Sequence, residues 1–294
     1  MSVNTGMRVA VASGKGGTGK TTVAVALARS ADGDVDLIDC DVEAPNAHLF
    51  CAPPQSGCDE PFEIQRPNID AETCTRCGAC VDFCAFGALA LAGQHVLVFD
   101  ELCHACGGCA IVCPVDAITE RQSPIGAIHE ASVGRRHYVY GELAIGETVA
   151  PPLIHAAKSR GRRGADHIID SPPGTTCPMV AAVTDADFVL LVTENTPFGV
   201  HDLASAVEVV RAMGIPHGVV INRSDIGSPS DRGAAAYCRA EGLSILLEIP
   251  FDPAIAEHYA VGDSLLDLGP RYREMFEALW ESVRTVVEHP RSPS

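Results

Sequence analysis

The stretch Gly14-Lys15-Gly16-Gly17-Thr18-Gly19-Lys20-Thr21-Thr22 is built to grip an anion. Glycines let successive backbone N–H groups turn inward as an anion nest, and a helix starting there adds its positive end. The flanks supply that context. Residues 7–13 (MRVAVAS) read as a buried strand, and VAVALARS over residues 23–30 as a helix. G-x-x-x-x-G-K-T between a strand and a helix is a phosphate loop. Lys20 is expected to reach the β- and γ-phosphates of a nucleotide, and the Thr21 hydroxyl to ligate magnesium. Gly14, Gly16, Gly17, Thr18, Gly19 and Thr22 complete the cradle.

A second set of residues points to redox metal chemistry. Cys74-x2-Cys77-x2-Cys80-x3-Cys84 recurs 29 residues later as Cys103-x2-Cys106-x2-Cys109-x3-Cys113-Pro114. Four thiolates in an eleven-residue run suit a cubane iron–sulfur cluster, whereas zinc modules use separated pairs. The spacing resembles that of bacterial two-cluster ferredoxins, in which the fourth cysteine of each run ligates the other cluster. That resemblance implies one 4Fe–4S cluster on Cys74, Cys77, Cys80 and Cys113, and another on Cys103, Cys106, Cys109 and Cys84. Gly78 and Gly107-Gly108 permit a tight backbone wrap. Ala85 departs from the pattern, which usually has Pro after the fourth cysteine.

Lys15 adds a further clue. A lysine just after the first glycine of the loop resembles the deviant phosphate loop of the MinD/ParA/Mrp class, which includes the nitrogenase iron protein. The resemblance implies that Lys15 reaches a partner's nucleotide across an ATP-dependent homodimer. It implies further that Asp41, with Asp39 second, orients the attacking water after the strand Val35–Asp39. Asp170, ending the strand of residues 165–170 before Ser171-Pro172-Pro173-Gly174, would hold magnesium through water. Asn222 would read the adenine edge, and Pro250 would lie in the loop packing on the base.

Elements that must position these residues follow from periodicity. Residues 188–193 read as a strand, 201–213 as an amphipathic helix, 230–240 as a helix and 245–249 as a strand. Such alternation predicts a doubly wound, mostly parallel α/β sheet with ligands at the carboxyl ends of its strands. In the MinD/ParA/Mrp class the segment from Asp39 to Asn46 is the first switch and the one following Asp170 the second. About 120 residues between the first switch and the strand ending in Asp170 exceed any loop of a compact domain, so a small ferredoxin-like α+β unit is expected there. The expected division is 1–60 and 123–294 for the ATPase and 61–122 for the insert.

Composition limits the partners. The 294 residues carry 21 Lys plus Arg against 38 Asp plus Glu, a net charge of −17. That balance disfavours direct contact with nucleic acid or an anionic membrane. No run approaches the length of a membrane span, and Met1 to Gly6 lacks the start of a secretory signal, so a cytoplasmic protein is expected. The helix over 271–287 mixes Arg and Glu on its polar face and reads as a packing helix, not a membrane anchor. Thirteen cysteines in a reducing compartment favour metal ligation over disulfides. Cys40 and Cys238 read as buried thiols and Cys177 as a free thiol in the second switch; Cys51 and Cys58 have no assigned role. Lys158 with Arg160, Arg162 and Arg163 reads as a basic surface patch.

The whole therefore resembles a MinD-type ATPase with an inserted two-cluster ferredoxin domain. Expected cofactors are ATP or ADP, magnesium and two 4Fe–4S clusters, with slow hydrolysis in a homodimer coupled to electron transfer or docking of a redox partner. One alternative is a carrier of metal clusters to a maturing metalloprotein; another is spatial positioning through an adaptor protein.

Overall fold

The computed structural model describes residues 6–50, 56–227 and 233–289. In chain order the first half holds β1 (Arg8–Ala12), α1 (Lys20–Ser30), β2 (Val35–Asp39), β3 (Ser56–Ile69), α2 (Ala79–Phe83), β4 (Leu89–Ala92), β5 (His95–Val98), α3 (Gly108–Ile111), β6 (Ile118–Val133) and β7 (Arg136–Leu143). The second half holds α4 (Pro151–Ser159), β8 (Asp166–Asp170), α5 (Cys177–Val183), β9 (Phe188–Glu194), α6 (Pro197–Ala212), β10 (His217–Asn222), α7 (Ala234–Ala240), β11 (Ile245–Ile249), α8 (Pro253–Ala260) and α9 (Pro270–Glu288).

Nine strands form one sheet in the order β11-β10-β9-β1-β8-β2-β7-β6-β3. The strands from β11 to β7 run parallel, while β6 and β3 are added antiparallel at one edge. Strands buried on both faces must be continuously apolar. β9 meets this with every residue buried, and Val9 to Ala12 of β1 are fully enclosed. One core face is filled by Ile38, Leu153, Ile169, Met179 and Leu203, the other by Leu27, Phe276, Leu279, Trp280 and Val283. The last four lie on α9, so the apolar stripe of this helix is spent on packing, as its mixed polar face predicts. Among the described residues no helix is long and apolar enough to cross a membrane.

The expected insert boundaries at 61 and 122 fall inside β3 and β6. These strands pair without interruption in direction from Ser56↔Ser132 to Ile69↔Ile118, with one bulge at Phe62/Glu63, and so carry the sheet edge outward as a two-stranded ribbon. The cysteine module proper is residues 70–117 at the end of that ribbon. It contains α2, α3 and the β4–β5 hairpin, packed on a small core of Cys80, Leu89 and Ile118.

Two helix starts also differ from the periodicity. α6 begins at Pro197, earlier than residue 201, because the Thr196 hydroxyl accepts the Gly199 N–H at 3.0 Å and Pro197 suits the first turn. α7 begins at Ala234; residues 228–232 lie outside the described residues, as does Cys51. Lys158 is no part of a free basic patch. Its Nζ donates to the carbonyls of Ala181 (2.9 Å) and Thr184 (2.5 Å) at the end of α5. Arg162 is taken by Asp36 and Arg160 by Glu60.

Candidate functional site

The loop between β1 and α1 closes at the carboxyl end of the parallel strands. Its shape depends on glycine at named points. Gly17 (φ 78) and Gly19 (φ 90) take left-handed conformations, and a Cβ on Gly19 would meet Asn222 Nδ2 at 2.4 Å. A Cβ on Gly14 would overlap the Asp202 carbonyl at 2.1 Å. The Ser13 hydroxyl donates to the Lys15 carbonyl at 2.7 Å and tightens the turn. α1 has no acid of its own in its first turn to compete for its positive end.

A cavity of about 390 Å³ opens over this loop. Lys15, Gly16, Gly17, Gly19, Lys20, Thr21, Thr22, Asp41, Asn222 and Pro250 all line it. Gly14 and Thr18 shape the loop from behind, and Asp39 and Asp170 lie deeper. Asn222 Nδ2 donates to the Thr18 carbonyl at 2.8 Å, tying β10 to the loop. Phe251, in the loop expected to pack on the base, forms an apolar wall with Ile255 and Tyr259, which the motif reading did not include.

Lys20 Nζ donates to Asp170 Oδ1 at 2.8 Å, with the two residues 6% and 0% exposed. Burial pulls the Lys20 ammonium down, but Asp170, with Asp41 and Asp39, outweighs it and leaves Lys20 above its ordinary value. Asp170 Oδ2 and the Thr18 hydroxyl are buried with no hydrogen-bond partner in the protein. A buried carboxylate oxygen left unpaired is costly. It fits a magnesium site, with Asp170 and Thr21 as the residues to hold the ion.

Asp39 and Asp41 separate in role. Asp39 accepts N–H groups from Asp41 (3.0 Å), Asn46 (2.9 Å) and Ala47 (3.0 Å), so its carboxylate shapes the segment after β2. Burial and repulsion from Asp170 push its carboxyl well up in spite of those bonds. Asp41 faces the cavity. Burial raises it to about 6, with Lys20 opposing and Asp170 and Glu43 adding to the rise.

Lys15 Nζ lies 3.3 Å from Glu194 Oε2, and Arg223 bonds the other oxygen of the same carboxylate. Glu194, at the end of β9, was not legible as a partner of the loop.

The cysteines fall into two cavities. Cys84, Cys103, Cys106 and Cys109 line one of about 240 Å³, and Cys74, Cys77, Cys80 and Cys113 line a smaller one of about 20 Å³. Each thus gathers three cysteines of one run with the fourth of the other. The sequence repeat recurs in the backbone. Left-handed residues Arg76, Gly78 and Gly87 of the first half match Ala105, Gly107 and Asp116 of the second at the same 29-residue offset. The non-glycine residues Arg76, Ala105 and Asp116 are strained there. Among the described residues all cysteines are free, and no group of three or more His, Cys, Asp or Glu could hold a single metal ion. Cys177 is exposed at the start of α5, Cys58 is exposed on β3, and Cys40 and Cys238 are buried. Burial raises the Cys40 and Cys238 thiols, the latter to about 11.

Comparison with known proteins places these features. The family description "CobQ/CobB/MinD/ParA nucleotide binding domain" matches residues 9–265. An uncharacterised protein of Methanocaldococcus jannaschii is 33% identical over 270 residues, covering 88% of this chain and 91% of its own. The iron–sulfur cluster carrier protein of Aquifex aeolicus is 31% identical over 111 residues, 34% of this chain and 30% of that protein. Among solved structures, the septum site-determining protein MinD of Pyrococcus horikoshii with Mg-ADP aligns at a TM-score of 0.56 and 19% identity, over 95% of this chain and 96% of that one. That likeness is one of fold.

Proposed function

The chain belongs to the CobQ/CobB/MinD/ParA nucleotide-binding family, and from that premise we propose that it is a switch ATPase coupled to an iron–sulfur module. The ATPase acts on Mg-ATP at the 390 Å³ cavity. Lys20 exchanges Asp170 for phosphate oxygens when nucleotide enters, which frees the Asp170 carboxylate. Thr21 and Asp170 would hold magnesium, which would supply charge to offset the phosphates. Asp41, facing the cavity beside Lys20, orients the attacking water, and Asp39 positions the segment that carries it. Asn222 and Pro250 bound the base. Lys15 leaves Glu194 to complete the site of a second copy, which makes the dimer dependent on ATP.

The observation that carries the iron–sulfur half is the crossed sharing of cysteines between two cavities. Four thiols per cavity, wrapped by backbone in the left-handed region, fit a four-iron cube better than a single ion, because a cube offers a separate iron to each thiolate. Cys74, Cys77, Cys80 and Cys113 would hold one cluster, and Cys103, Cys106, Cys109 and Cys84 the other. Such clusters supply one-electron chemistry. In this reading the protein gates electron transfer, or docking of a redox partner, by nucleotide state.

The deciding experiment uses protein purified anaerobically. Iron analysis near eight per chain is expected, and the cluster midpoint potentials should differ between Mg-ADP and Mg-ATP. A difference of about 60 mV corresponds to about 1.4 kcal/mol of coupling for one electron. Identical potentials in both states would move the reading to docking or delivery.

A second reading, cluster delivery to a maturing metalloprotein, is favoured by the partial likeness to the Aquifex iron–sulfur cluster carrier protein. It predicts loss of iron from this chain to an acceptor apoprotein. Closed four-thiol sites weigh against it, since a delivered cluster must leave easily.

A further inference from the structure

Arg66 on β3 is a full-length cation only 2% exposed, at the place where the ribbon meets the cysteine module. Its guanidinium donates to the Ser123 hydroxyl at 3.1 Å and to both oxygens of Glu147, at 3.1 and 2.7 Å. Its Nε is buried without a partner. Nothing in the phosphate-loop chemistry calls for this pair.

Glu147 sits on the segment 144–150 between β7 and α4, and that segment touches both halves of the molecule. The Thr148 hydroxyl donates to the Glu101 carbonyl at 2.7 Å, two residues before Cys103. Leu143, at its base, donates its N–H to the Val42 carbonyl at 2.8 Å, next to Asp41. Ala105, between Cys103 and Cys106, packs on the main core with Phe62 and Leu143. Gln65 and Pro67, on either side of Arg66 in β3, line the cavity that Cys103 shares with Cys84, Cys106 and Cys109, the second cysteine cavity. Among the described residues, the charged side chain lining the first cysteine cavity, that of Cys74, Cys77, Cys80 and Cys113, is Arg76, and the one lining the second is Glu120; both are exposed, so water screens them.

Reduction adds an electron, so a buried cation beside a cluster favours the reduced form and a buried anion the oxidised one. Here the cation and the anion are held together by two hydrogen bonds, and the anion rides on a segment joined to the first switch. We propose that the Arg66–Glu147 pair sets the reduction potential of the second cluster alone, and that Glu147 makes this setting answer to the nucleotide. Arg66 and Glu147 are thus positioning residues, acting on the cluster through charge. The proposal rests on the reading that both cysteine cavities hold cubane clusters.

The test uses the full-length protein, purified anaerobically and titrated with dithionite through mediators while the reduced clusters are followed by electron paramagnetic resonance. The step belonging to the second cluster is assigned by its loss in Cys106→Ser. Glu147→Gln, nearly isosteric, should move that midpoint positive by a tenfold or greater change in the reduction equilibrium, about 59 mV for one electron. Arg66→Met should move it negative, Arg66→Lys should leave it near the parent value, and the double variant should return toward it. The first cluster's midpoint should stay in place throughout. Mg-ATP should shift the second midpoint in the parent protein and not in Glu147→Gln. Intact clusters with no shift, or with both midpoints moving together, overturn the proposal. Iron well under about eight per chain in the parent protein removes the reading beneath it as well, and is seen before any variant is made.

Discussion

The Lys20 ammonium and the Asp170 carboxylate hold each other at 2.8 Å behind the phosphate loop, and the second Asp170 oxygen has no partner in the protein. In the proposed function the pair is a resting arrangement in which each group occupies the other's ligand position. Removing one member strands the other in a buried place, at a cost of about 3–5 kcal/mol. Asp170→Ala should lower the melting temperature of the nucleotide-free protein accordingly. Lys20→Ala should weaken ATP binding by about 100-fold or more in calorimetry, about 2.8 kcal/mol. Tight ATP binding by Lys20→Ala would contradict the role given to this lysine.

Asp41 at about 6 and the raised Asp39 make the ligand-free protein sensitive to alkali. Both bind protons more tightly folded than unfolded, so the stability they contribute is complete below their unfolded values. It is lost as pH rises through their folded values. Melting temperature measured between pH 5 and pH 8 should therefore fall, by a few degrees. Asp41→Asn should flatten part of that slope. Mg-nucleotide has the opposite dependence, because a cation prefers the ionised acids, so its affinity should rise over the same interval. A ligand-free protein that grows more stable toward pH 8 would count against both assignments.

Cys113 stands in the second cysteine run but lines the first cavity, and Cys84 does the reverse. Cys113→Ser should therefore damage the same cluster as Cys74→Ser, and Cys84→Ser the same cluster as Cys103→Ser. Spectra of the reduced variants check this directly. Damage that followed the order of the runs would mean the fourth cysteines do not cross over.

Lys158 ties α4 to the end of α5 through two carbonyls, the helix that follows the second switch. Lys158→Met leaves both acceptors without their charged donor, at about 1–3 kcal/mol. The melting temperature should drop while ATP affinity of the folded protein stays within about threefold, near 0.7 kcal/mol. A surface role would give no change in melting.

The phosphate loop and its acids were legible because each depends on neighbours in sequence. Gly17 and Gly19 need left-handed backbone where they stand, and Asp39 binds N–H groups no further away than Ala47. The spacing within each cysteine run was legible for the same reason, whereas the crossing of the fourth cysteines was an expectation carried by the resemblance to ferredoxins alone. What the chain hid were partnerships at long range. Arg66 and Glu147 are 81 residues apart, and no pattern of spacing marks them. Lys158 reads as surface in the run Lys-Ser-Arg-Gly-Arg-Arg because its partners are carbonyls, which carry no residue identity. β3 escaped because Glu60-Pro61-Phe62-Glu63 lacks clean alternation. Its place is fixed instead by pairing with β6 across more than fifty residues.

That pairing ends with Ile69 opposite Ile118, and the Asp70 N–H still donates to the Ala117 carbonyl at 2.8 Å beyond it. The cysteine module thus leaves and re-enters the nucleotide-binding domain at one rung of a ladder. Topologically it is an overgrown hairpin tip. A connection of this kind costs chain entropy that grows only slowly with length, so the sheet carries a module of this size there at little cost in folding. A body closed at that rung by a two-residue Asn-Gly turn would keep its whole sheet.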